Sequence, residues 1–90
     1  MNPDITVYSK PNCMQCRAVY RRLETAGVHY KVLDLTEPEQ EGQLAYFKSL
    51  GFLSAPVTEY LGVHVPGYNP DELDALIKAW HEDNAPLEAA

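Results

Sequence analysis

Residues 5–16 of the chain read ITVYSKPNCMQC, and this stretch decides the fold. Its first four residues are β-branched or aromatic and predict a short buried strand, and the SKPN after them has the composition of a turn. From Cys16 onward apolar residues recur at helical spacing and stop at Gly27, which predicts an amphipathic helix. The only two cysteines of the sequence, Cys13 and Cys16, therefore lie where the first strand passes into the first helix.

The rest of the chain predicts three further strands and two further helices. Residues 30–35 form the second strand, and Val57–Tyr60 and residues 63–65 form a hairpin around the two-residue loop Leu61-Gly62. One helix lies between the second and third strands, and the last helix comes after the fourth strand.

Capping-box spacings mark the starts of these two helices. Thr36 and Glu39 have this spacing before the middle helix, with a proline in the first turn. The last helix has Asn69 as its N-cap, Pro70 at its first position and Glu72 to complete the box. The apolar stripes are Leu44, Phe47 and Leu50 in the middle helix and Leu73, Leu76, Ile77 and Trp80 in the last.

The predicted order β-α-β-α-β-β-α defines an α/β fold. A strand, a helix and a second strand in succession form a right-handed parallel crossover, and the hairpin adds two antiparallel strands to the same sheet. We therefore expect a four-stranded mixed sheet flanked by helices. Residues 1–81 are predicted to form this single domain, and residues 82–90, polar and alanine-rich, a frayed tail.

The composition excludes several classes of protein. Seven basic and thirteen acidic residues among 90 give a net charge of −6, which argues against binding to nucleic acid or to an anionic membrane surface. No apolar run approaches the ~20 residues of a membrane span, and the N-terminus lacks the character of a signal peptide. We therefore expect a monomeric cytoplasmic protein.

The spacing of the two cysteines predicts a redox pair. Cys13 lies at the predicted start of a helix, where free N–H groups and the positive end of the helix dipole favour a thiolate, and Lys10 adds positive charge. Cys16 lies one turn further on the apolar stripe, close enough to resolve a mixed disulfide formed at Cys13. We therefore expect Cys13 to attack a partner disulfide and Cys16 to resolve the mixed species.

A metal site is the main alternative for the same two cysteines. Zinc would need two further ligands, and His29, His64 and His81 have no finger-like spacing. We therefore predict neither a metal nor a cofactor, and interpret the histidines as structural.

Pro56 precedes the third strand, where a proline usually marks an edge or a bend. If the Ala55–Pro56 peptide bond is cis, a tight turn holds the Ala55 backbone beside the cysteines, where an extended partner segment can pair with it. A trans bond at the start of an ordinary strand is the alternative, and the sequence leaves both open.

Residues 8–16 (YSKPNCMQC) resemble the active-site segment of the glutaredoxin-like branch of the thioredoxin fold. Within that branch the NrdH-type redoxins are most similar, because they typically carry Cys-Val-Gln-Cys where this chain has Met14 as the second residue. Residues 51–57 (GFLSAPV) are similar to the family segment that holds a cis-proline, and residues 67–71 (GYNPD) to the run that opens its last helix.

The resemblance implies a thioredoxin/glutaredoxin-like fold and a dithiol–disulfide oxidoreductase that acts as an electron carrier. Such a carrier is reduced by thioredoxin reductase and reduces a ribonucleotide reductase of the class Ib type, in deoxyribonucleotide synthesis. The residues that we expect to contact partner proteins are Lys10, Met14, Gln15, Ala55, Pro56, Gly67 and Tyr68.

The chain departs from the family pattern near the site. Val65 and Pro66 stand where the family commonly has Trp-Ser, and Asn69 stands where it has arginine. Thr58 and Glu59 replace the apolar residues that usually come after the proline and valine. These departures are compatible with a divergent or phage-type member.

Two other functions compete with the electron carrier. A glutathione-dependent glutaredoxin usually has Cys-Pro-Tyr-Cys and a Gly-Gly before an acidic clamp, whereas this chain has Met14-Gln15 and a single Gly67. The alternative of another class is a binding module in which the cysteines ligate an iron–sulfur cluster between two subunits.

Three arginines of the first helix allow two interpretations. Arg17, Arg21 and Arg22 are either its solvated face or, beside the cysteines of an acidic protein, charges that steer an acidic partner segment.

Overall fold

The computed structural model describes residues 4–85, which form one four-stranded sheet and three α-helices. The predictions for the extreme N-terminus and for residues 86–90 lie outside the described residues. The strands are β1 (Ile5–Ser9), β2 (Tyr30–Asp34), β3 (Val57–Tyr60) and β4 (Val63–Pro66). The helices are α1 (Met14–Thr25), α2 (Glu41–Ser49) and α3 (Pro70–Asp83), with a 3-10 turn at Pro38–Gln40 before α2. Within residues 4–85 no helix is long and apolar enough to cross a membrane.

The sheet has the strand order β2-β1-β3-β4 and is mixed. β1 runs parallel to β2, with Ile5 opposite Tyr30 and Ser9 opposite Asp34. β3 runs antiparallel to both β1 and β4. The β-α-β crossover and the added hairpin are therefore confirmed.

The β3–β4 hairpin turns through Leu61-Gly62, as predicted. Leu61 has φ +48° and Gly62 has φ +81°, so both central residues are left-handed, as a two-residue hairpin loop of type I′ requires. Glycine adopts this conformation freely, whereas the left-handed region costs an ordinary side chain about 1–2 kcal/mol.

The hydrophobic core is divided between the two faces of the sheet. Alternate residues of β1 point to opposite faces, so Ile5 and Val7 pack against α1 and α3, and Tyr8 packs against α2. The first cluster includes Ile5, Val7, Val19, Leu23, Val65, Leu73, Leu76, Ile77 and Trp80. The second cluster contains Tyr8, Cys13, Cys16, Leu35, Phe47, Ala55 and Val57. Both cysteines are therefore anchored in the cluster beneath α2.

The start of α2 differs from the predicted capping box. The backbone N–H and the hydroxyl of Thr36 both donate to Asp34 Oδ1, at 2.8 and 2.6 Å. The hydroxyl is therefore committed to the turn after β2, and the chain enters the helix through the 3-10 turn instead. The capping-box prediction for Thr36 and Glu39 was wrong because Asp34, two residues upstream, accepts from the Thr36 N–H that the Glu39 carboxylate would bind in a capping box.

Helix α3 begins as predicted. The Asn69 side chain accepts a hydrogen bond from the Glu72 N–H at 3.3 Å and donates to the Glu72 carboxylate, and Pro70 occupies the first turn. The helix ends later than expected, at Asp83. The Asn84 side chain donates a hydrogen bond to the Trp80 carbonyl oxygen at 2.8 Å and so caps this end. Residues 82 and 83, predicted to fray, are therefore helical.

Candidate active site

The turn between β1 and α1 places Cys13 at the N-cap of the helix. Asn12 has φ +56°, a left-handed conformation that asparagine adopts more readily than most residues. Cys13 then has an extended backbone, and its Sγ accepts a hydrogen bond from the Cys16 N–H at 3.1 Å. The sulfur therefore satisfies one of the free amides at the helix start, the task that a serine or aspartate oxygen performs in other helices.

Cys13 and Cys16 are joined by a disulfide, with their Cα atoms 5.2 Å apart. The bond closes the first turn of α1 on itself, so it links no distant parts of the chain. Cys13 is 7% exposed and Cys16 is 1% exposed. The first cysteine is thus the more accessible of the two, which is the order that the predicted roles require.

The electrostatic surroundings of the pair favour an anion at Cys13. The Cys16 amide of the first turn donates to its sulfur, and no acidic residue occupies that turn. When the disulfide is reduced, we expect these dipoles to lower the pKa of the Cys13 thiol and to increase its thiolate fraction at neutral pH. Lys10 is exposed and forms no ion pair within the described residues, so any contribution from it is through space.

The Ala55–Pro56 peptide bond is cis, one of the two alternatives left open by the sequence. Both residues are buried, and Ala55 packs in the same cluster as the two cysteines. The Pro56 carbonyl oxygen accepts a hydrogen bond from the Gly67 N–H at 2.8 Å, and β3 begins at the next residue, Val57. This bond attaches the loop before α3 to the proline beside the disulfide.

Gln15 lies against Gly67 at the same edge. A Cβ atom on Gly67 would lie 3.4 Å from Gln15 Oε1, and Gly67 has φ +70°. The left-handed backbone favours glycine, whereas the distance to Gln15 is an ordinary van der Waals contact. Gln15, Pro56 and Gly67, three of the predicted partner-contacting residues, thus form a continuous rim with the cysteine pair.

Two apolar side chains, one next to Cys13 and one close to Pro56 in sequence, are solvent-exposed. Met14, directly after Cys13, is 80% exposed, and Leu53, two residues before Ala55, is 83% exposed. Met14 was predicted as a partner-contacting residue, whereas Leu53 was not. The sequence feature that could have indicated Leu53 as a candidate is its apolar side chain in the short loop that leads to Pro56.

Tyr68 lies between the rim and a groove that separates α1 from α3. It is 38% exposed, and its hydroxyl accepts a hydrogen bond from Arg22 Nη1 at 3.5 Å. Arg22 also donates to both carboxylate oxygens of Asp74, at 2.9 and 2.6 Å. The hydrogen bonds to Asp74 and Tyr68 raise the pKa of Arg22, and the bond from Arg22 lowers the pKa of Asp74.

A polar group beneath α2 involves Glu59, one of the departures from the family pattern. His64 Nε2 lies 2.7 Å from Glu59 Oε2, and the His64 ring packs 5.7 Å from the Phe47 ring. Burial, and secondly the charge of Glu59, raise the pKa of Tyr8. The His64 ring therefore lies between the Glu59 carboxylate and the Phe47 ring. Within residues 4–85 no three His, Cys, Asp or Glu side chains are grouped as a metal site would require.

A mixed sheet of this order, with a Cys-x-x-Cys disulfide at the start of its first helix and a cis-proline beside it, defines a thiol–disulfide oxidoreductase of the thioredoxin fold. Comparisons with known proteins agree with this class. The glutaredoxin family model matches residues 5–65.

Similar proteins and a solved structure show which branch of the glutaredoxin family this chain resembles. The Gene 56 protein of Mycobacterium phage L5 is 37% identical over 75 residues, which cover 81% of this chain and 71% of that protein. The glutaredoxin-like protein NrdH of Salmonella typhimurium is 29% identical over 82 residues, 90% of this chain and 98% of that one. The structure of NrdH-redoxin from Escherichia coli superimposes with a TM-score of 0.69 at 25% identity, covering 80% of this chain and 92% of that one.

The chain therefore belongs to the glutaredoxin family and, within it, to the NrdH-type redoxins, as its active-site segment predicted. Its redox-active centre is the Cys13–Cys16 disulfide.

Proposed function

We propose that this redoxin carries electrons from thioredoxin reductase to a ribonucleotide reductase of the class Ib type. The observation that carries the proposal is the disulfide whose first sulfur caps α1 and whose neighbour is a cis-proline, in a chain of the NrdH type. We propose further that the protein acts as a monomer in the cytoplasm, where dithiols remain reduced.

The exchange needs only the two cysteines and the partner disulfide. The Cys13 thiolate attacks one sulfur of the partner disulfide, a mixed disulfide forms, and the other partner sulfur leaves as a thiolate and takes up a proton. The Cys16 thiolate then attacks Cys13 Sγ, which releases the second partner thiol and closes the Cys13–Cys16 disulfide. Two electrons pass to the partner in each cycle, and the reductase returns them by the reverse sequence of steps.

The rim of the site supplies the partner contacts in this proposal. An extended partner segment would lie across Met14 and Gln15 on one side and Ala55, Pro56 and Gly67 on the other. The exposed Met14 side chain would add apolar area, and the partner segment would pair with the backbone at Ala55. The Cys13 sulfur needs little rearrangement before it attacks, because Cys13 already packs in the buried cluster with Cys16 and Ala55.

The rim is better suited to a protein reductase than to glutathione. Glutathione is a tripeptide with two carboxylates, and a specific site for it needs positive or N–H donors at both ends. Pro70 removes one backbone donor at the start of α3, and Tyr68 places a large ring beside Gly67. The relative from Escherichia coli is described as having a thioredoxin-like activity profile, which also supports a protein donor.

The test is an NADPH-consumption assay with an oxidised protein substrate and two donor systems. One system is thioredoxin reductase, and the other is glutathione with glutathione reductase, each at physiological concentration. We expect efficient turnover with thioredoxin reductase, little with glutathione, and none in either system with Cys13→Ser. Faster turnover with glutathione would place this protein with the glutathione-dependent glutaredoxins and overturn the proposed donor.

A further inference from the structure

A groove of about 550 Å³ runs between α1 and α3 on the side of the molecule that continues from Tyr68. We propose that this groove binds an acidic segment of a protein partner, a few residues away from the cysteine that the partner presents to Cys13. The inference rests on the proposed exchange with protein disulfides, and it is independent of which reductase supplies the electrons. The residues that line the groove are Ala18, Arg21, Arg22, Thr25, Ala26, Tyr68, Asp74 and Ile77.

The distribution of charge points to an acidic occupant. The whole chain has a net charge of −6, so at long range it repels an acidic partner. Helix α1 is an exception, because three of the seven basic residues of the chain lie on it and its first turn contains no acidic residue. Arg22 is paired with Asp74, whereas Arg17 and Arg21 are exposed and form no ion pair within residues 4–85. Of these two, Arg21 lines the groove, which therefore retains one positive charge beyond the Arg22–Asp74 pair.

The shape of the groove suits an extended chain. Its α1 wall carries small side chains, Ala18 and Ala26, which leave room for a backbone, and Ile77 of α3 adds an apolar contact. Arg22 holds the hydroxyl of Tyr68 from one side and the Asp74 carboxylate from the other, so the wall is fixed before a partner arrives.

The groove is continuous with the cysteine pair. Met14, Ala18 and Arg22 succeed each other at the i, i+4 spacing that places them on one side of α1. Arg21 lies eight residues after Cys13, about 12 Å along the helix axis at about 1.5 Å per residue. An extended chain covers that distance in about four residues. The proposed segment therefore has its acidic side chains about three to five residues from the partner cysteine.

Synthetic peptides test both the charge and this register. Three peptides share the same small disulfide ring and differ in the tail attached to it, which carries three glutamates at positions 3–5, three glutamines at positions 3–5, or three glutamates at positions 9–11. The measured quantity is the second-order rate constant for reduction of each peptide by the reduced protein, obtained by acid quench and chromatography. Two electrons pass from the Cys13–Cys16 dithiol to the ring, which opens to two thiols.

We expect the peptide with glutamates at positions 3–5 to react about 2- to 5-fold faster than the glutamine peptide at low salt, the range for one exposed ion pair. The ratio should fall toward 1 at high salt and in Arg21→Gln. The matched control Lys48→Gln removes an exposed positive charge from α2, on the opposite face of the sheet, and should retain the ratio.

Equal rates for the first two peptides would overturn the proposal, as would an equal advantage for glutamates at positions 9–11. A loss of the ratio in Lys48→Gln as large as that in Arg21→Gln would also overturn it, because the effect would then reflect net charge alone. Reduction of none of the peptides would instead contradict the disulfide reductase activity itself, which separates the two failures.

Discussion

At the scale of single residues, Cys13 combines a structural role with a chemical one. Its sulfur accepts the Cys16 N–H and so caps the helix, and we expect the same amide and the helix dipole to stabilise the thiolate that Cys13 must form before it attacks. Cys16 is buried in the core one turn later, where its sulfur can contact Cys13 more easily than it can contact a partner protein. The difference in exposure between the two cysteines thus arises from a separation of three residues at the start of one helix.

Gly67 is the second residue on which the site depends, and a matched pair of substitutions tests this. Gly67→Ala introduces a Cβ atom at φ +70° and 3.4 Å from Gln15 Oε1, so we expect the free energy of unfolding to fall by about 1–2 kcal/mol. Gly42→Ala places a Cβ atom in open space within α2, where we expect a gain of about 0.5–1 kcal/mol. Both values are obtained from urea unfolding curves.

Equal effects of the two alanines would show that the backbone at Gly67 is not constrained. If Gly67→Ala also lowers the rate with thioredoxin reductase more than its loss of stability explains, the loop takes part in partner binding as proposed.

At the scale of elements, the contact between α1 and α3 fixes the geometry of the groove. Arg22 and Asp74 are 52 residues apart in sequence and are joined by two hydrogen bonds with the charges exposed to solvent. The same arginine reaches Tyr68, which comes directly after the glycine bonded to Pro56. One side chain of the active-site helix therefore connects α3 with the loop beside the cis-proline.

The Arg22–Asp74 pair predicts a pH dependence of stability. The folded protein lowers the pKa of Asp74 below its unfolded value of about 3.9, so the pair stabilises the fold above that pH and the effect is lost as the pH falls through the folded pKa. We expect Asp74→Asn to be less stable than the parent protein at pH 7, with the difference shrinking below about pH 4. The measurement is the urea midpoint of both proteins across pH.

Asp71→Asn is the matched control, because Asp71 lies in the first turn of the same helix and forms no ion pair within the described residues. A difference between Asp74→Asn and the parent that is as large at pH 3 as at pH 7 would contradict the assigned role of the carboxylate. An identical pH profile for Asp71→Asn would assign the effect to the helix dipole instead.

The elements that could be predicted from the sequence are those specified by neighbouring residues. Asn69, Pro70 and Glu72 start α3 as predicted, because a cap is a contact within one turn. The hairpin at Leu61-Gly62 and the position of Cys13 have the same local origin. Contacts such as that between Arg22 and Asp74 were not predicted, since they depend on how two helices pack.

Thr36 shows the limit of local reasoning as well. Its spacing to Glu39 is that of a capping box, in which the Glu39 carboxylate would accept from the Thr36 N–H. Asp34 accepts from that N–H instead, and also from the Thr36 hydroxyl. The cis state of the Ala55–Pro56 bond was likewise open in the sequence, because most X-Pro bonds are trans and only the surrounding packing selects the isomer.

At the scale of the whole molecule, the site forms where separate parts of the chain meet at one end of the sheet. The turn after β1 supplies Cys13, the loop before β3 supplies Ala55 and Pro56, and the loop before α3 supplies Gly67. The chain as a whole has a net charge of −6, whereas α1 presents three arginines near this edge. The fold thus places the Cys13 sulfur next to Gln15, Pro56 and Gly67, and α1 leads from this edge to the groove lined by Arg21 and Arg22.

The central claim is that Cys13 attacks a partner disulfide and Cys16 resolves the product, and the most direct measurement is mass spectrometry of the trapped intermediate. Reduced Cys16→Ser and Cys13→Ser proteins are each mixed with insulin as the disulfide substrate, quenched with acid and analysed as intact species. We predict a stable mixed disulfide through Cys13 in Cys16→Ser, and none in Cys13→Ser. A mixed disulfide through Cys16 in Cys13→Ser, with none in Cys16→Ser, would contradict the account.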